Sequence, residues 1–413
     1  MEPSNRKRVL ILDINPNGHH PTYVRWLLES PLSQSANMIV ASRPEMFEHP
    51  ELKACSTKFA RHVISVDSSL EKRLSDFTSI GLIRMSWTIG KAYRRAFAQL
   101  SKIAPIDFVI VPFVDDCLLG LAAVKVPFGE VPWMAITMRT MFHFAQMGVL
   151  APIQRFARVR RFLFDRLLRQ PSMVSMLTID PTLVAFVEKY PGAGTAKISY
   201  LPDPATHHPA LLPRAEAKQQ LGIPVDSRLV LLYGEIALRK GVLSLLDGAA
   251  DPTCPSCVHV LLAGRCRDRR LIEQSGSYQR LLGAARVHVI DGYLNGDQER
   301  QALSAADCVW AGYTGFYGMS GIMVLSGRHS LPVFASKEGL IGYFAARHGI
   351  GILVEQNRQS VIAALQQFAA DPEFFAQAGS KSASLFANHT PAELQRLIAE
   401  KAESWVASAQ HTV

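Results

Sequence analysis

Residues Asp307–Glu338 read DCVWAGYTGFYGMSGIMVLSGRHSLPVFASKE. The apolar run Cys308-Val309-Trp310 has the character of a buried strand, and a glycine-rich turn follows it from Gly312 to Gly321. Ile322–Ser326 continues as a helix and Leu331–Ala335 as a second strand. Strand, glycine turn, helix, strand predicts one parallel β-α-β unit. The helix start leaves backbone N–H groups unpaired at the positive end of its dipole, a natural seat for a phosphate or diphosphate. A tight turn that needs only glycine dihedrals is the plainer reading.

On both sides of this unit the alternation repeats. Upstream, Leu229–Tyr233, Val258–Ala263 and Val287–Ile290 read as strands, with helices at Val242–Gly248, Asp268–Leu282 and Gln298–Ala305. Downstream come a strand at Ile350–Val354 and helices at Gln359–Ala369, Glu373–Leu385 and Pro391–Ala407. In the first half, strands fall at Val9–Asp13, Met38–Ala41, His62–Val66, Phe108–Val111, Trp133–Thr137, Val174–Ile179 and Ile198–Leu201. Helices there include Tyr23–Leu28 and Arg84–Ala104. Leu201–Pro213 carries four prolines and no periodicity, the pattern of a linker. The expected fold is α/β, with two Rossmann-like doubly wound parallel-sheet domains facing across a cleft. The expected divisions are 1–203, 204–388 and a C-terminal helix in 389–413 that packs back towards the first domain.

Of 413 residues, 48% are apolar, enough for two cores, yet no apolar run approaches the ~20 residues that span a bilayer. MEPSNRKRVLILDI lacks the apolar region and cleavage site of a secretion signal, which points to the cytoplasm. The six cysteines fit that compartment. Cys254-Pro-Ser-Cys257 has no second Cys or His pair at zinc spacing, so a loop before a strand is preferred over a metal or redox site. The formal charge of +9 suits nucleic acid, an anionic membrane surface or anionic substrates. With no zinc-finger spacing, RNA-recognition signature or basic tail, nucleic acid is the least favoured of the three.

Ligands of doubly wound domains bind outside the carboxyl ends of the strands. The loop after Val9–Asp13 carries Gly18, His19 and His20, of which one imidazole is expected to point into the mouth. Asp115-Asp116 follow a strand end, placed either to handle a hydroxyl or to cap the helix from Leu118. Arg139 and His143 follow the Trp133–Thr137 strand to the same edge. Gln154–Arg169 carries Arg155, Arg158, Arg160, Arg161, Arg166 and Arg169 against Asp165 alone, with apolar residues at helical spacing. A basic amphipathic helix lies readily in an anionic lipid interface, and the alternative is an ordinary surface helix on the sheet.

The second half resembles the GT-B glycosyltransferases, and within them the retaining nucleotide-sugar enzymes of family 4. Tyr233-Gly-Glu-Ile-Ala-Leu-Arg-Lys240-Gly241 is similar to that family's strand, Gly-Arg and Lys-Gly segment. Leu261-Leu-Ala-Gly264, Ile290-Asp-Gly-Tyr-Leu294, Ser330-Leu-Pro-Val-Phe-Ala-Ser336 and Gly349-Ile-Gly-Ile-Leu-Val354 follow in the family's order. Gly18-His-His and Lys197-Ile-Ser-Tyr-Leu-Pro202 match in the first half. The family's two glutamates fall at Tyr317 and Leu325, eight positions apart and neither acidic, and its Gly-Arg arginine is Glu235.

The resemblance implies transfer of a sugar from a nucleotide-diphosphate donor to a glycan or lipid-linked acceptor, with retention and without a metal or other cofactor. Residues 204–388 are then the donor domain and 1–203 the acceptor domain. Arg239, Lys240, Ser320 and Gly321 are the expected diphosphate contacts, Gly234, Gly318 and Met319 further donor-binding residues, and Asp291, Tyr293 and Leu294 border the base. His19, His20, Arg139 and His143 are the expected catalytic and acceptor residues. An anionic membrane surface is the expected partner of Arg155, Arg158, Arg160 and Arg161, on the inner face of the cell membrane. A silent member acting as a sugar-nucleotide sensor or assembly partner, and an epimerase or phosphorylase on the same fold, are the alternatives.

Overall fold

The computed structural model describes residues 6–65, 79–154, 156–205 and 211–408. The chain divides into two compact units. One comprises Met1–Met147, Ile153–Pro202 and Pro391–Val413, the other Gly148–Pro152 and Asp203–Thr390.

The first unit is built on a seven-stranded parallel sheet of order β3-β2-β1-β4-β5-β6-β7. Its strands are β1 Lys7–Leu12, β2 Ala36–Ser42, β3 Ala60–Val63, β4 Phe108–Val111, β5 Trp133–Thr137, β6 Met173–Thr178 and β7 Ile198–Tyr200. The inner strands are unbroken apolar runs because helices cover both faces. On one face lie α2 Ser79–Ile103, α3 Leu118–Ala122 and α4 Ala157–Leu168, burying Tyr93, Leu121 and Phe164 over Leu10 and Val109. The other face receives α1 His20–Leu28 and the terminal helix Pro391–Ser408, through Leu27, Leu394 and Ile398. Asp180 caps α5 Pro181–Lys189 by accepting from the Thr182 N–H, with proline in the first turn.

The second unit carries a six-stranded parallel sheet of order β10-β9-β8-β11-β12-β13. These are β8 Arg228–Tyr233, β9 Val258–Gly264, β10 Val287–Asp291, β11 Cys308–Ala311, β12 Val333–Ser336 and β13 Gly351–Val354. Its helices include α6 Val242–Ala249, α7 Arg269–Glu273, α8 Gly276–Gly283, α9 Gly296–Ala305, α10 Gly321–Arg328 and α11 Gly339–His348.

Besides shifted ends, such as α1 starting at His20 rather than Tyr23 and α9 at Gly296 rather than Gln298, four elements differ from the sequence reading in ways the structure explains. The strand expected at His62–Val66 sits earlier, at Ala60–Val63, because Ile39–Ser42 of β2 sets its register; Val66 lies outside the described residues. The long helix α2 begins at Ser79, ahead of Arg84. The single helix expected over Asp268–Leu282 is two, because Ser275 leaves the helical conformation and its hydroxyl accepts from the Tyr278 N–H, capping α8. β12 starts at Val333 rather than Leu331, since Pro332 has no N–H for the ladder and contributes only its carbonyl, to Val309 N at 2.9 Å. Within the expected linker, residues 206–210 lie outside the described residues.

Candidate active site

In the first unit, the neighbouring interior strands β1 and β4 carry the loops that build one polar cluster. His20, in the first turn of α1, is buried. Its Nδ1 lies 2.9 Å from both oxygens of Asp13, the residue after β1. A carboxylate only accepts, so Nδ1 carries the proton and Nε2 offers its lone pair to the Asn15 amide at 3.0 Å. Asp116 Oδ2 stands 3.8 Å from the same Nε2. The ring lies on Phe113 with centroids 3.5 Å apart. Burial pushes the Asp116 carboxyl above its usual range, an effect opposed by Arg139 and His20 and reinforced by Asp115 and Asp13. A buried imidazole, oriented by one carboxylate and approached by another, is equipped to accept or position a proton.

The other first-unit candidates separate. His19 is exposed and only its carbonyl is used, by Tyr23 N. Arg139 is largely exposed and reaches Asp116 at 3.4 Å. Asp115 caps no helix: it accepts from Thr137 Oγ1, Met138 N and Arg139 N, tying down the chain after β5. Nor does Asp116 cap the helix from Leu118, whose start has no side-chain cap. His143 is a correction. Expected at the open edge, it is fully buried, with Nε2 3.0 Å from Asp180 Oδ2 and 2.9 Å from Thr182 Oγ1. Asp180 spends one oxygen capping α5, and His143 satisfies the other, so this imidazole is a structural group.

In the second unit the Lys240 segment is pinned to the glycine turn. Thr314 N donates to Arg239 O at 2.8 Å, and Trp310 Nε1 donates to Lys240 O at 2.8 Å. Gly241 has φ +68°, and a Cβ there would fall 2.1 Å from Gly312 O, so both backbone shape and space demand glycine. Lys240 is buried, its ammonium donating to Tyr233 O at 2.5 Å beside Gly234. Burial first, and Arg239 second, bring its pKa down to about 8, against a partial rise from Glu235. Arg239 is half exposed, 3.5 Å from Glu235 and over the Tyr313 ring.

Ser320 opens α10 without capping it. Its hydroxyl donates instead to Tyr313 Oη at 3.0 Å. The first helical amides, of Gly321 and Ile322, thus keep free N–H groups at the helix start. Met319 is buried and Gly318 half-buried on the approach to them. Asp291 is already engaged, accepting from Cys266 N at 3.2 Å and pairing with Arg269, which together hold its carboxyl below the usual range. Tyr293 is 89% exposed and Leu294 half-buried on the loop that follows.

Two groups escaped the sequence reading, Asp13 and Glu338. Asp13 meets His20 across the loop that follows β1, and Asp116, expected to handle a hydroxyl or cap a helix, joins them because β4 lies beside β1. Glu338 is an exposed carboxylate beside Tyr317, on a loop held there by Leu340 N donating to Tyr317 O at 2.9 Å.

In the basic helix, the structure places Arg158 and Arg160 in solvent, whereas Arg161 is bonded to Asp165 and stacks on Phe142 and Phe186. Arg155 lies outside the described residues. The stripe that packs is Phe164, Leu167 and Leu168; Phe156, Val159 and Phe162, expected on the apolar stripe, are exposed. No helix among the described residues is long and apolar enough to cross a membrane.

No protein-family model and no curated protein sequence matches the chain. Solved structures do. Sucrose-phosphate synthase from Thermosynechococcus elongatus superposes with a TM-score of 0.69 at 16% identity, over 98% of this chain and 100% of that one. HepE from Anabaena, in complex with UDP and glucose, gives 0.62 at 15% identity, over 97% and 100%. WaaG, a glycosyltransferase involved in lipopolysaccharide biosynthesis, gives 0.60 at 14% identity, over 95% and 98%. At these identities the likeness speaks for architecture: the chain has the two parallel-sheet α/β units of the GT-B glycosyltransferase fold.

Proposed function

We propose that this chain is a glycosyltransferase that moves a sugar from a nucleotide-diphosphate donor to an acceptor hydroxyl. The observation that carries the proposal is the buried ammonium of Lys240, pinned beside the glycine turn. A desolvated cation there is strengthened by its surroundings and matches the charge that develops on a departing diphosphate. The free amides of Gly321 and Ile322 add donors at the positive end of α10. Arg239 supplies a second cation once a diphosphate competes with Glu235. Gly234, Gly318 and Met319 border that seat, and Asp291, Tyr293 and Leu294 border the base. HepE is described with UDP and with UDP-glucose, which makes UDP-sugars the first donors to test.

In the acceptor unit, His20 is the group that takes up or steers the acceptor proton, with Asp13 holding its tautomer and Arg139 orienting the incoming group. The family resemblance favours retention of anomeric configuration. The Asp13–His20 pair favours a second reading, inversion, since a carboxylate-oriented imidazole suits the base of a single displacement. The acceptor we favour is a lipid-linked glycan in surface polysaccharide assembly, with Arg158 and Arg160 of α4 meeting the anionic headgroups. Incubation with radiolabelled UDP-sugars and lipid-linked acceptors, with NMR of the product's anomeric centre, tests this reading. Absence of transfer and hydrolysis with every nucleotide sugar would leave a silent GT-B protein instead.

A further inference from the structure

The first unit carries an apolar, basic surface that its own core does not use. On α4, Phe156 precedes the helix and Val159 and Phe162 lie on it; on α2, Ile83 and Trp87 lie one turn apart. All five are 44–61% exposed. Exposed apolar side chains that gather on two helices, rather than standing singly, mark an interaction surface.

The two helices belong to one layer. Gly90 of α2 and Gly120 of α3 approach so closely that a Cβ on Gly90 would lie 2.6 Å from Gly120 backbone atoms. Arg166 of α4 then reaches the carbonyl of Ala122, at the end of α3, at 2.6 Å. Buried residues of all three helices share one core against one face of the sheet. Each helix returns the chain to the start of the next parallel strand, α2 to β4 and α4 to β6, so each begins at the carboxyl edge. Ile83 and Trp87 are in the first half of α2, and Phe156 to Phe162 at the start of α4. The exposed apolar residues therefore share one face and one end of the unit.

Their charge is one-sided. α2, from Ser79 to Ile103, contains no acidic residue and exposes Arg84 and Lys91 between and beyond its apolar pair. α4 has one acid, Asp165, and Arg161 neutralises it through bonds of 2.8 and 2.9 Å. Arg158 and Arg160 stay in solvent, free to meet an anion.

We infer that the amino-terminal halves of α2 and α4 form a single docking face for an anionic lipid bilayer, with Trp87 and Phe162 seated at the headgroup boundary and Arg84, Lys91, Arg158 and Arg160 on the phosphates. Aromatic rings prefer that boundary, and arginine and lysine gain from the surface potential of anionic leaflets. The inference extends the membrane reading of α4 and is independent of the donor chemistry. It also gives the acceptor unit a lipid surface at the sheet edge that carries His20, the edge at which a lipid-linked acceptor would arrive.

The test is co-sedimentation of the full chain with phosphatidylglycerol-containing and pure phosphatidylcholine vesicles. Two charge-reversal variants, Arg84→Glu/Lys91→Glu on α2 and Arg158→Glu/Arg160→Glu on α4, are compared with wild type, and Ile83→Ser/Trp87→Ser tests the apolar part. Circular dichroism and UDP binding certify that each variant is folded and that its second unit is intact. The expected result is binding to the anionic vesicles alone, weakened ~tenfold or more by each pair of reversals. Release by the α4 variant with no effect of either α2 variant overturns the shared face. Equal binding to both vesicle types, or a wild-type chain that dimerises and ignores vesicles, overturns the lipid assignment. Retained UDP binding and transfer to a soluble acceptor in those cases would leave the proposed chemistry standing.

Discussion

Asp13 and His20 meet through a carboxylate that presents both oxygens to Nδ1 at 2.9 Å, so the ring can neither flip nor exchange tautomers without losing a buried partner. Asn15 and Asp116 then define what Nε2 meets. If this pair handles the acceptor proton, Asp13→Asn lowers kcat by about 10²–10⁴-fold with donor affinity unchanged. Steady-state kinetics with UDP titrations check this; an unaltered kcat would reduce the pair to a structural role.

Lys240 carries its own pH signature. An anionic ligand binds the ammonium form, and the free protein loses that proton with a pKa of about 8. Affinity for UDP is therefore full below pH 8 and falls as pH rises through it, with proton uptake on binding. Titration calorimetry in buffers of different ionisation enthalpy measures both. Stability runs the other way. Between about 8 and the ordinary 10.5 the unfolded chain holds more protons at this lysine, so its contribution to stability rises with pH across that window.

Gly241→Ala forces a Cβ into Gly312 O and a side chain into the left-handed region. The expected cost is about 1–3 kcal/mol of stability, with UDP affinity lowered as the glycine turn shifts. Denaturant melts and calorimetry on the same variant check the two effects.

His143→Ala separates structure from chemistry. Asp180 keeps its cap, but its second oxygen loses the buried imidazole partner. The variant should lose about 3 kcal/mol of stability, from the orphaned carboxylate and the cavity together. The KM for donor and the pH profile should stay where they are. A changed profile would return His143 to the active site.

Most of the strands were legible because buried parallel strands are unbroken apolar runs, as in Val9–Leu12 and Leu229–Leu232. The glycine turn and the Lys240 segment were legible as two separate turns, and only the structure shows that they are pinned together through Arg239 O and Lys240 O. What periodicity does not carry is adjacency. Asp116 reaches His20 because β4 lies beside β1, a pairing between positions about a hundred residues apart. His143 was misread for the same reason, its partner Asp180 coming from a different crossover. On α4 the residue pattern fits two apolar stripes, and only packing reveals that Phe164, Leu167 and Leu168 form the inner one.

The central claim is that Lys240 and the amides at the start of α10 grip a nucleotide diphosphate. Calorimetric binding of UDP to wild type and to Lys240→Ala tests it most directly. The account predicts saturable binding by wild type and a loss of about 1.5–3 kcal/mol in the variant, the worth of one hydrogen bond to a charged group. Equal affinities in two folded proteins, or no UDP, ADP or GDP binding by wild type at all, would contradict it.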